Sequence, residues 1–199
     1  MRKVAAIGIG QTVVSEHWEK SLKELAGDAI LDALMDAQIN IFDSLFIGNM
    51  MSASANQQQN IGAYIADWVG ARGSESIRVE SACSSGSAAF RAAILAVASN
   101  EVDVAVAAAV EKMTDSPSAE ITANLATAAD ADWEVSQGVS FVSLNALLMQ
   151  RYLYEYGWVP CLYLSTHGSQ CFLSKRLEQP RAQEDPFHPL GDEDPAICG

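Results

Sequence analysis

A strand, a helix and a second strand can be read from residues 76–110, SIRVESACSSGSAAFRAAILAVASNEVDVAVAAAV. The alternating residues 76–80 predict a short strand, and the alanine-rich residues 86–99 predict a helix. Residues 102–110 are almost all apolar, which is typical of a buried strand, and we expect this strand to be central. Strands separated by helices in this way predict a mostly parallel sheet.

The rest of the first 157 residues continues this alternation. Ser21 and Glu24 have the spacing of a capping box, which predicts the start of a helix with a regular apolar stripe. Residues 122–131 are small and polar and look like a surface excursion. The other predicted elements are strands over residues 3–10 and 43–48 and helices over residues 60–69 and 143–156. The order predicts an α/β fold with helices on both faces of the sheet.

Composition excludes several classes of protein. The chain has 199 residues, 12 Lys and Arg and 25 Asp and Glu, which gives a formal charge of −13, and 49% of its residues are hydrophobic. A hydrophobic share of this size predicts a globular core, and the acidic balance argues against nucleic acids and anionic membranes as partners. The sequence shows no apolar run long enough for a membrane span and no signal peptide, so we expect a cytoplasmic protein.

The composition changes near Gly157. Residues 1–157 hold 29 alanines and residues 158–199 hold two, whereas five of the six prolines lie in the second part. The second part shows little periodicity and reads as loop or weakly ordered chain.

Cys83 stands alone in the first 157 residues, because the other three cysteines, Cys161, Cys171 and Cys198, follow the compositional change. The predicted elements place Cys83 at or just before the beginning of a helix, where unpaired N–H groups and the helix dipole favour the thiolate. The small neighbours Ala82, Ser84 and Gly86 would let a substrate approach. A nucleophile and a buried packing cysteine are both compatible with this spacing.

Other candidate groups carry weaker patterns. Gly8 and Gly10 follow a predicted strand, but Val13 stands where a dinucleotide fingerprint needs its third glycine. His17 suits a packing or surface role better than a substrate contact. Glu111 follows a strand, where it could orient its neighbours or form an ion pair with Lys112 or Arg91. A set of tail residues matches no standard zinc spacing, so we expect no metal site: Cys161, His167, Cys171 and His188.

Several segments together resemble the thiolases, the acyl-CoA C-acyltransferases, and in particular their archaeal and sterol-carrier-protein-like branch. Residues 79–86, VESACSSG, resemble the nucleophile motif of that family. Residues 110–115, VEKMTD, are similar to its segment after the central strand, although Ala108 and Ala109 replace the usual glycines. The remaining similar segments are residues 4–12, 46–50, 126–134 and 150–157.

The resemblance implies a thiolase-like N-terminal half with a mixed, mostly parallel sheet, and a mechanism. Cys83 would be the nucleophile that forms an acyl-enzyme, and a second acyl-CoA would attack that thioester in a Claisen condensation; the reverse reaction is thiolysis. Coenzyme A enters as the thioester substrate, so no separate cofactor is expected. Arg151 would contact the phosphates of coenzyme A. The family also uses two histidines and a second cysteine, and the motifs that carry them do not occur in this sequence.

Three segments follow from the resemblance: an α/β domain over residues 1–118, a partial loop domain over residues 119–157 and an atypical tail over residues 158–199. We expect the tail to come from a frameshift, a mis-joined reading frame or a truncated gene, which re-reading the coding DNA after codon 157 would test. Whether the chain is an active enzyme stays open at this point. The alternatives are a non-catalytic thiolase-like fragment or partner subunit, and a condensing enzyme like ketosynthase or hydroxymethylglutaryl-CoA synthase. We expect a homo-oligomer or a partner that supplies the missing half.

Overall fold

The computed structural model describes residues 2–157. Three strands in these residues form a parallel sheet in the order β2–β1–β3. They are β1 (Ser44–Gly48), β2 (Glu75–Val79) and β3 (Ala105–Ala109). Gly48 pairs with Val79 on one side and with Ala109 on the other, so the carboxyl ends of all three strands meet at one edge of the sheet.

Six α-helices accompany the sheet in the described residues: α1 (Leu22–Ala37), α2 (Ser52–Ala55), α3 (Ile61–Trp68), α4 (Ser85–Ala98), α5 (Ser118–Ala126) and α6 (Phe141–Tyr156). Short 3₁₀ turns occur at Ala82–Ser84 and Val135–Gln137. The chain divides between Gly138 and Val139 into two compact units, so α6 belongs to the second. None of the helices in residues 2–157 combines the length and hydrophobicity that a membrane crossing requires.

Every residue of β1 is buried. Successive side chains of a strand point to opposite faces, so both faces of β1 must be covered. Leu45 and Ile47 belong to a core that includes residues of α1 and α3, whereas Phe46 packs with Ala89 and Ala93 of α4. Helices therefore cover both faces of the sheet, and the predicted α/β fold is confirmed.

The capping box at the start of α1 is also confirmed. The backbone N–H of Ser21 donates to a carboxylate oxygen of Glu24 at 2.7 Å, and the N–H of Glu24 donates back to the Ser21 hydroxyl at 3.4 Å. Both N–H groups lie where a helix offers no internal acceptor, so this sequence pattern marks the helix start for a physical reason.

The predicted strand over residues 3–10 is wrong, since the structure shows no strand there. An apolar run becomes a strand only where a neighbour accepts its hydrogen bonds. Here the N–H of Ile9 donates instead to the Asp36 side chain of α1 at 2.9 Å, and the Ile9 residue is 79% exposed. Gly8 and Gly10 lie against the backbone of α1. A dinucleotide fingerprint needs a strand that leads into its glycines, and the described residues have none before this pair.

The expectation of a buried, central strand over residues 102–110 needs correction. Within the described sheet β1 is central and fully buried, whereas β3 lies at an edge and its residues are only partly buried or exposed. The surface excursion expected over residues 122–131 contains the second half of α5, which begins at Ser118, and most of its residues are exposed. The predicted helices over residues 60–69, 86–99 and 143–156 agree with α3, α4 and α6 to within two residues at each end.

Candidate active site

Cys83 lies in the connection from β2 to α4, at the carboxyl edge of the sheet. It occupies the 3₁₀ turn Ala82–Ser84, and α4 begins two residues later at Ser85. The residue is exposed. Sequence analysis predicted a cysteine just before a helix, and the structure confirms that placement; the packing alternative requires a buried side chain, which is not observed.

The turn around Cys83 is strained and held by short hydrogen bonds. Ala82 has a φ of 46°, a left-handed conformation that residues other than glycine rarely adopt. Its N–H donates to a carboxylate oxygen of Glu80 at 2.5 Å. The Ser85 hydroxyl accepts from the N–H of Ser81 at 2.9 Å and donates to the carbonyl of Ala82 at 2.6 Å. Strain that surrounding contacts enforce is characteristic of functional turns.

The first turn of α4 packs directly on the sheet. A methyl group added to Gly48, the last residue of β1, would lie 2.5 Å from the carbonyl oxygen of Ser85 and 2.7 Å from the Cα of Gly86. A methyl group on Gly86 would lie 3.0 Å from the Cβ of Ala109 in β3. Only glycine permits this approach, so the sheet fixes the helix end that follows Cys83.

The position of Cys83 supports nucleophilic chemistry. The N-cap residue Ser84 gives no side-chain hydrogen bond to α4, and its hydroxyl instead donates to the carbonyl of Ser81 at 2.7 Å. The positive end of the helix dipole is therefore not covered by its own cap, and a negative charge next to it is stabilised. An exposed thiol at such a helix end can react with an electrophilic carbonyl.

A second loop, residues 49–51, follows β1 at the same edge of the sheet and leads into α2. Asn49 is fully buried; its amide donates to the carbonyl of Val110 at 2.8 Å and accepts from the N–H of Ser52 at 2.9 Å. Arg78, on β2, donates to the carbonyls of Asn49 at 3.0 Å and Met50 at 2.7 Å. Asn49 and Arg78 were not among the residues that the sequence patterns indicated. A polar residue directly after the apolar strand β1 was the available indication for Asn49.

Glu111 holds this loop from the other side. Its carboxylate accepts from the N–H groups of Met50 and Met51, the latter at 3.3 Å. Although the residue is exposed, the carboxylate is partly desolvated against the loop, and this raises its pKa; the hydrogen bonds from the loop and the charge of Arg78 act in the opposite direction. These contacts are those that a residue orienting its neighbours would make, and that role of Glu111 stays a prediction. The alternative ion pair with Lys112 is not found, because Lys112 pairs with Asp115.

The other predicted candidates are Arg151, His17 and the tail residues. Arg151 is on α6, in the second unit, where its guanidinium pairs with Glu155 at 2.7 Å. His17 lies in the loop before α1; its Nε2 is 2.7 Å from the carbonyl oxygen of Val13, and that contact, followed by Glu19, raises the pKa of the imidazole. The tail cysteines and histidines lie outside the described residues. Residues 2–157 bring together no cluster of side chains able to hold a metal ion.

Comparison with known proteins identifies the family. The family model "Thiolase, N-terminal domain" matches residues 3–153. The chain belongs to the thiolase N-terminal domain family. This match confirms the resemblance stated from the sequence, and it places Cys83 and its turn inside the thiolase domain.

Two archaeal relatives give the same assignment. An acetyl-CoA acetyltransferase from Methanothermobacter thermautotrophicus is 43% identical over 159 residues, which cover 79% of this chain and 41% of the relative. An acetyl-CoA acetyltransferase from Methanocaldococcus jannaschii is also 43% identical over 159 residues and is covered to 40%. The chain thus spans about two fifths of the length of these curated relatives.

One solved structure is similar over a smaller region. A 3-oxoacyl-[acyl-carrier-protein] synthase III from Aquifex aeolicus superimposes with a TM-score of 0.38 and 17% identity, covering 42% of this chain and 27% of the synthase. A superposition at this level does not establish a common fold by itself.

Proposed function

We propose that residues 3–157 are the nucleophile-bearing domain of a thiolase-type acyl-CoA acyltransferase and that Cys83 receives the acyl group. The observation that carries this proposal is an exposed cysteine in a strained turn at the beginning of α4, within the region that matches the thiolase family. The names of the two archaeal relatives support an acetyl group from acetyl-CoA as the first substrate to test.

The proposed step is a thioester exchange. The Cys83 thiolate attacks the carbonyl carbon of acetyl-CoA, a new carbon–sulfur bond forms, and the bond to the sulfur of coenzyme A breaks. Coenzyme A leaves as a thiolate and takes up a proton. The small residues around Cys83 leave room for the acyl group.

The second half of the reaction needs further groups. The resemblance to thiolases implies a histidine that activates the nucleophile, a second histidine that helps form an oxyanion hole and a second cysteine that moves the α-proton. The motifs that carry them do not occur in this sequence. We therefore propose that the chain alone forms the acyl-enzyme and that a complete cycle requires these groups from a partner or from further chain. Arg151, on exposed α6, is our candidate for contact with the phosphates of coenzyme A.

Release of coenzyme A tests the acyl transfer. The chain is mixed with excess acetyl-CoA, and free coenzyme A is measured together with the acetyl group retained by the protein. We expect one equivalent of coenzyme A per chain and a bound acetyl group that hydroxylamine removes, since hydroxylamine cleaves thioesters. Cys83→Ser should abolish both results, whereas Cys161→Ser should leave them unchanged.

The non-catalytic alternative makes the opposite prediction. If the chain is a thiolase-like fragment without chemistry, coenzyme A release will be no faster than spontaneous hydrolysis and will be equal in the wild type and in Cys83→Ser. Steady turnover of acetoacetyl-CoA by the chain alone would contradict the proposal in another way, because it would show that all the catalytic groups are already present.

A further inference from the structure

Glu111 makes contacts that the proposed acyl transfer does not use. It follows β3 and reaches across the carboxyl edge of the sheet to the loop after β1, where its carboxylate accepts from two successive N–H groups, those of Met50 and Met51. Arg78 binds the carbonyls on the opposite side of the same loop. The backbone directly after Gly48 is therefore held in one position by side chains from both neighbouring strands.

This loop connects to Cys83 through the contact between Gly48 and α4. Gly48 lies against the backbone of Ser85 and Gly86 so closely that a single methyl group would not fit. Ser85 in turn binds the backbone of Ser81 and Ala82 through its hydroxyl. A shift of the loop would move Gly48, the first turn of α4 and the 3₁₀ turn that carries Cys83.

We propose that Glu111 is a positioning residue for Cys83, which it holds at the end of α4 by fixing the backbone of residues 48–51. The proposal rests on the proposed function, since it concerns the residue that receives the acyl group. Glu111 acts through the backbone of this loop and not through contact with a substrate. Its effect should therefore appear in the reactivity of Cys83 even when no acyl-CoA is present.

Asp43 provides a matched control at the other end of the same strands. It precedes β1, and its carboxylate accepts from the N–H groups of Asp103 and Val104, both at 2.9 Å, just before β3. Asp43 and Glu111 thus each tie β1 to β3 through two backbone N–H groups. Only Glu111 does so at the edge that carries Cys83, so the pair separates positioning from general support of the sheet.

Alkylation by iodoacetamide measures the effect directly. The rate constant at Cys83 is followed by mass spectrometry of its peptide in the wild type, Glu111→Ala, Glu111→Gln and Asp43→Ala, at one pH and with folding checked by circular dichroism. Since Cys83 is already exposed, a displaced turn should lower the rate through loss of the helix end, by about two- to fivefold for Glu111→Ala. Glu111→Gln keeps one acceptor oxygen and should fall in between, whereas Asp43→Ala should leave the rate unchanged.

Equal rates at Cys83 in the wild type and in Glu111→Ala would overturn the proposal, as would equal losses in Glu111→Ala and Asp43→Ala. If Glu111→Ala does not fold, the similarly sized Glu111→Met, which offers the loop no acceptor oxygen, decides, and a rate equal to that of the wild type counts against positioning. Failure of the proposed function would appear elsewhere: acetyl-CoA would leave Cys83 unmodified in the wild type, while the alkylation contrast between Glu111 and Asp43 variants would persist.

Discussion

At the scale of single residues, two carboxylates with similar contacts differ in their response to pH. Asp43 and Glu111 each accept hydrogen bonds from two backbone N–H groups across the gap between β1 and β3. The hydrogen bonds from Val104 and Asp103 lower the pKa of Asp43, whereas partial burial dominates at Glu111 and raises its pKa. Folding therefore favours the ionised form of Asp43 and the protonated form of Glu111.

Asp43→Asn should make the protein less sensitive to acid. Because the pKa of Asp43 is lower in the folded state, its contribution to stability is present above its unfolded pKa of about 4 and is lost as the pH falls through the folded pKa. The variant should be less stable than the wild type near neutral pH, and the difference should shrink below about pH 4. Urea unfolding at a series of pH values measures this, and a difference that is constant with pH would contradict it.

Glu111→Gln should show the opposite dependence. Because the pKa of Glu111 is raised in the folded state, its contribution is fully present below the unfolded pKa of about 4.3 and is lost as the pH rises through the folded pKa. Glutamine does not ionise, so the variant should gain stability relative to the wild type as the pH rises from mildly acidic to neutral. The same unfolding series measures this change, and a relative loss over that interval would contradict the account.

At the scale of elements, the critical contact is the approach of α4 to the end of β1. The helix end that follows Cys83 lies on Gly48, and the added methyl of an alanine would meet backbone atoms that have no room to move independently. The sequence showed that a strand ends at Gly48 and that a helix begins after Cys83. It did not show that these two ends touch, because that contact depends on the order of strands in the sheet.

Gly48→Ala should therefore destabilise the fold and slow the alkylation of Cys83. Overpacking at a site of this kind costs about 1–3 kcal/mol of unfolding free energy. Gly73→Ala is the control: Gly73 has a φ of 85° with open space around it, before the amino end of β2, and the strain there costs roughly 1 kcal/mol. Only Gly48→Ala should change Cys83, and equal alkylation rates in the two variants would refute the proposed contact.

Sequence patterns predicted the elements that local chemistry specifies. The capping box of Ser21 and Glu24, the apolar strand β1 and the turn with Cys83 all appear where expected, because each depends on residues close in sequence. The predictions that failed depend on which segments pair with one another in the folded chain. Residues 3–10 have the apolar character of a strand but pair with no neighbouring strand in the described residues, and β3 lies at the edge of the described sheet although it is the most apolar of the three strands. Asn49, Arg78 and Glu111 meet at the loop after β1 but come from segments that are distant in sequence, so no local pattern predicts their contacts.

At the scale of the whole molecule, large apolar side chains remain uncovered on α4. Phe90 is 55% exposed, Leu95 is 37% exposed and Ile94 is 36% exposed. Surfaces of this kind mark contacts with other chains or lead to aggregation, even though a net charge of −13 opposes association. We expect that this face contributes to association of the chain with itself or with a partner.

The purified wild-type chain should therefore oligomerise or aggregate at physiological salt. Phe90→Glu replaces an exposed aromatic ring on α4 by a negative charge, which repels the same face of another acidic chain. The variant should therefore show a lower mean mass in light scattering. Gln59→Glu, at an exposed residue outside α4, changes the net charge by the same amount and should have a smaller effect. A wild-type chain that remains a monodisperse monomer over a wide range of concentration would contradict this prediction.

The most direct test of the central claim is the location of the acetyl group after reaction with acetyl-CoA. The chain is incubated briefly, digested at acidic pH to preserve thioesters, and each of the four cysteine-containing regions is examined by mass spectrometry. We predict that the acetyl group accumulates on Cys83, ahead of Cys161, Cys171 and Cys198. An unmodified Cys83, or acetylation spread evenly over all four cysteines, would contradict it.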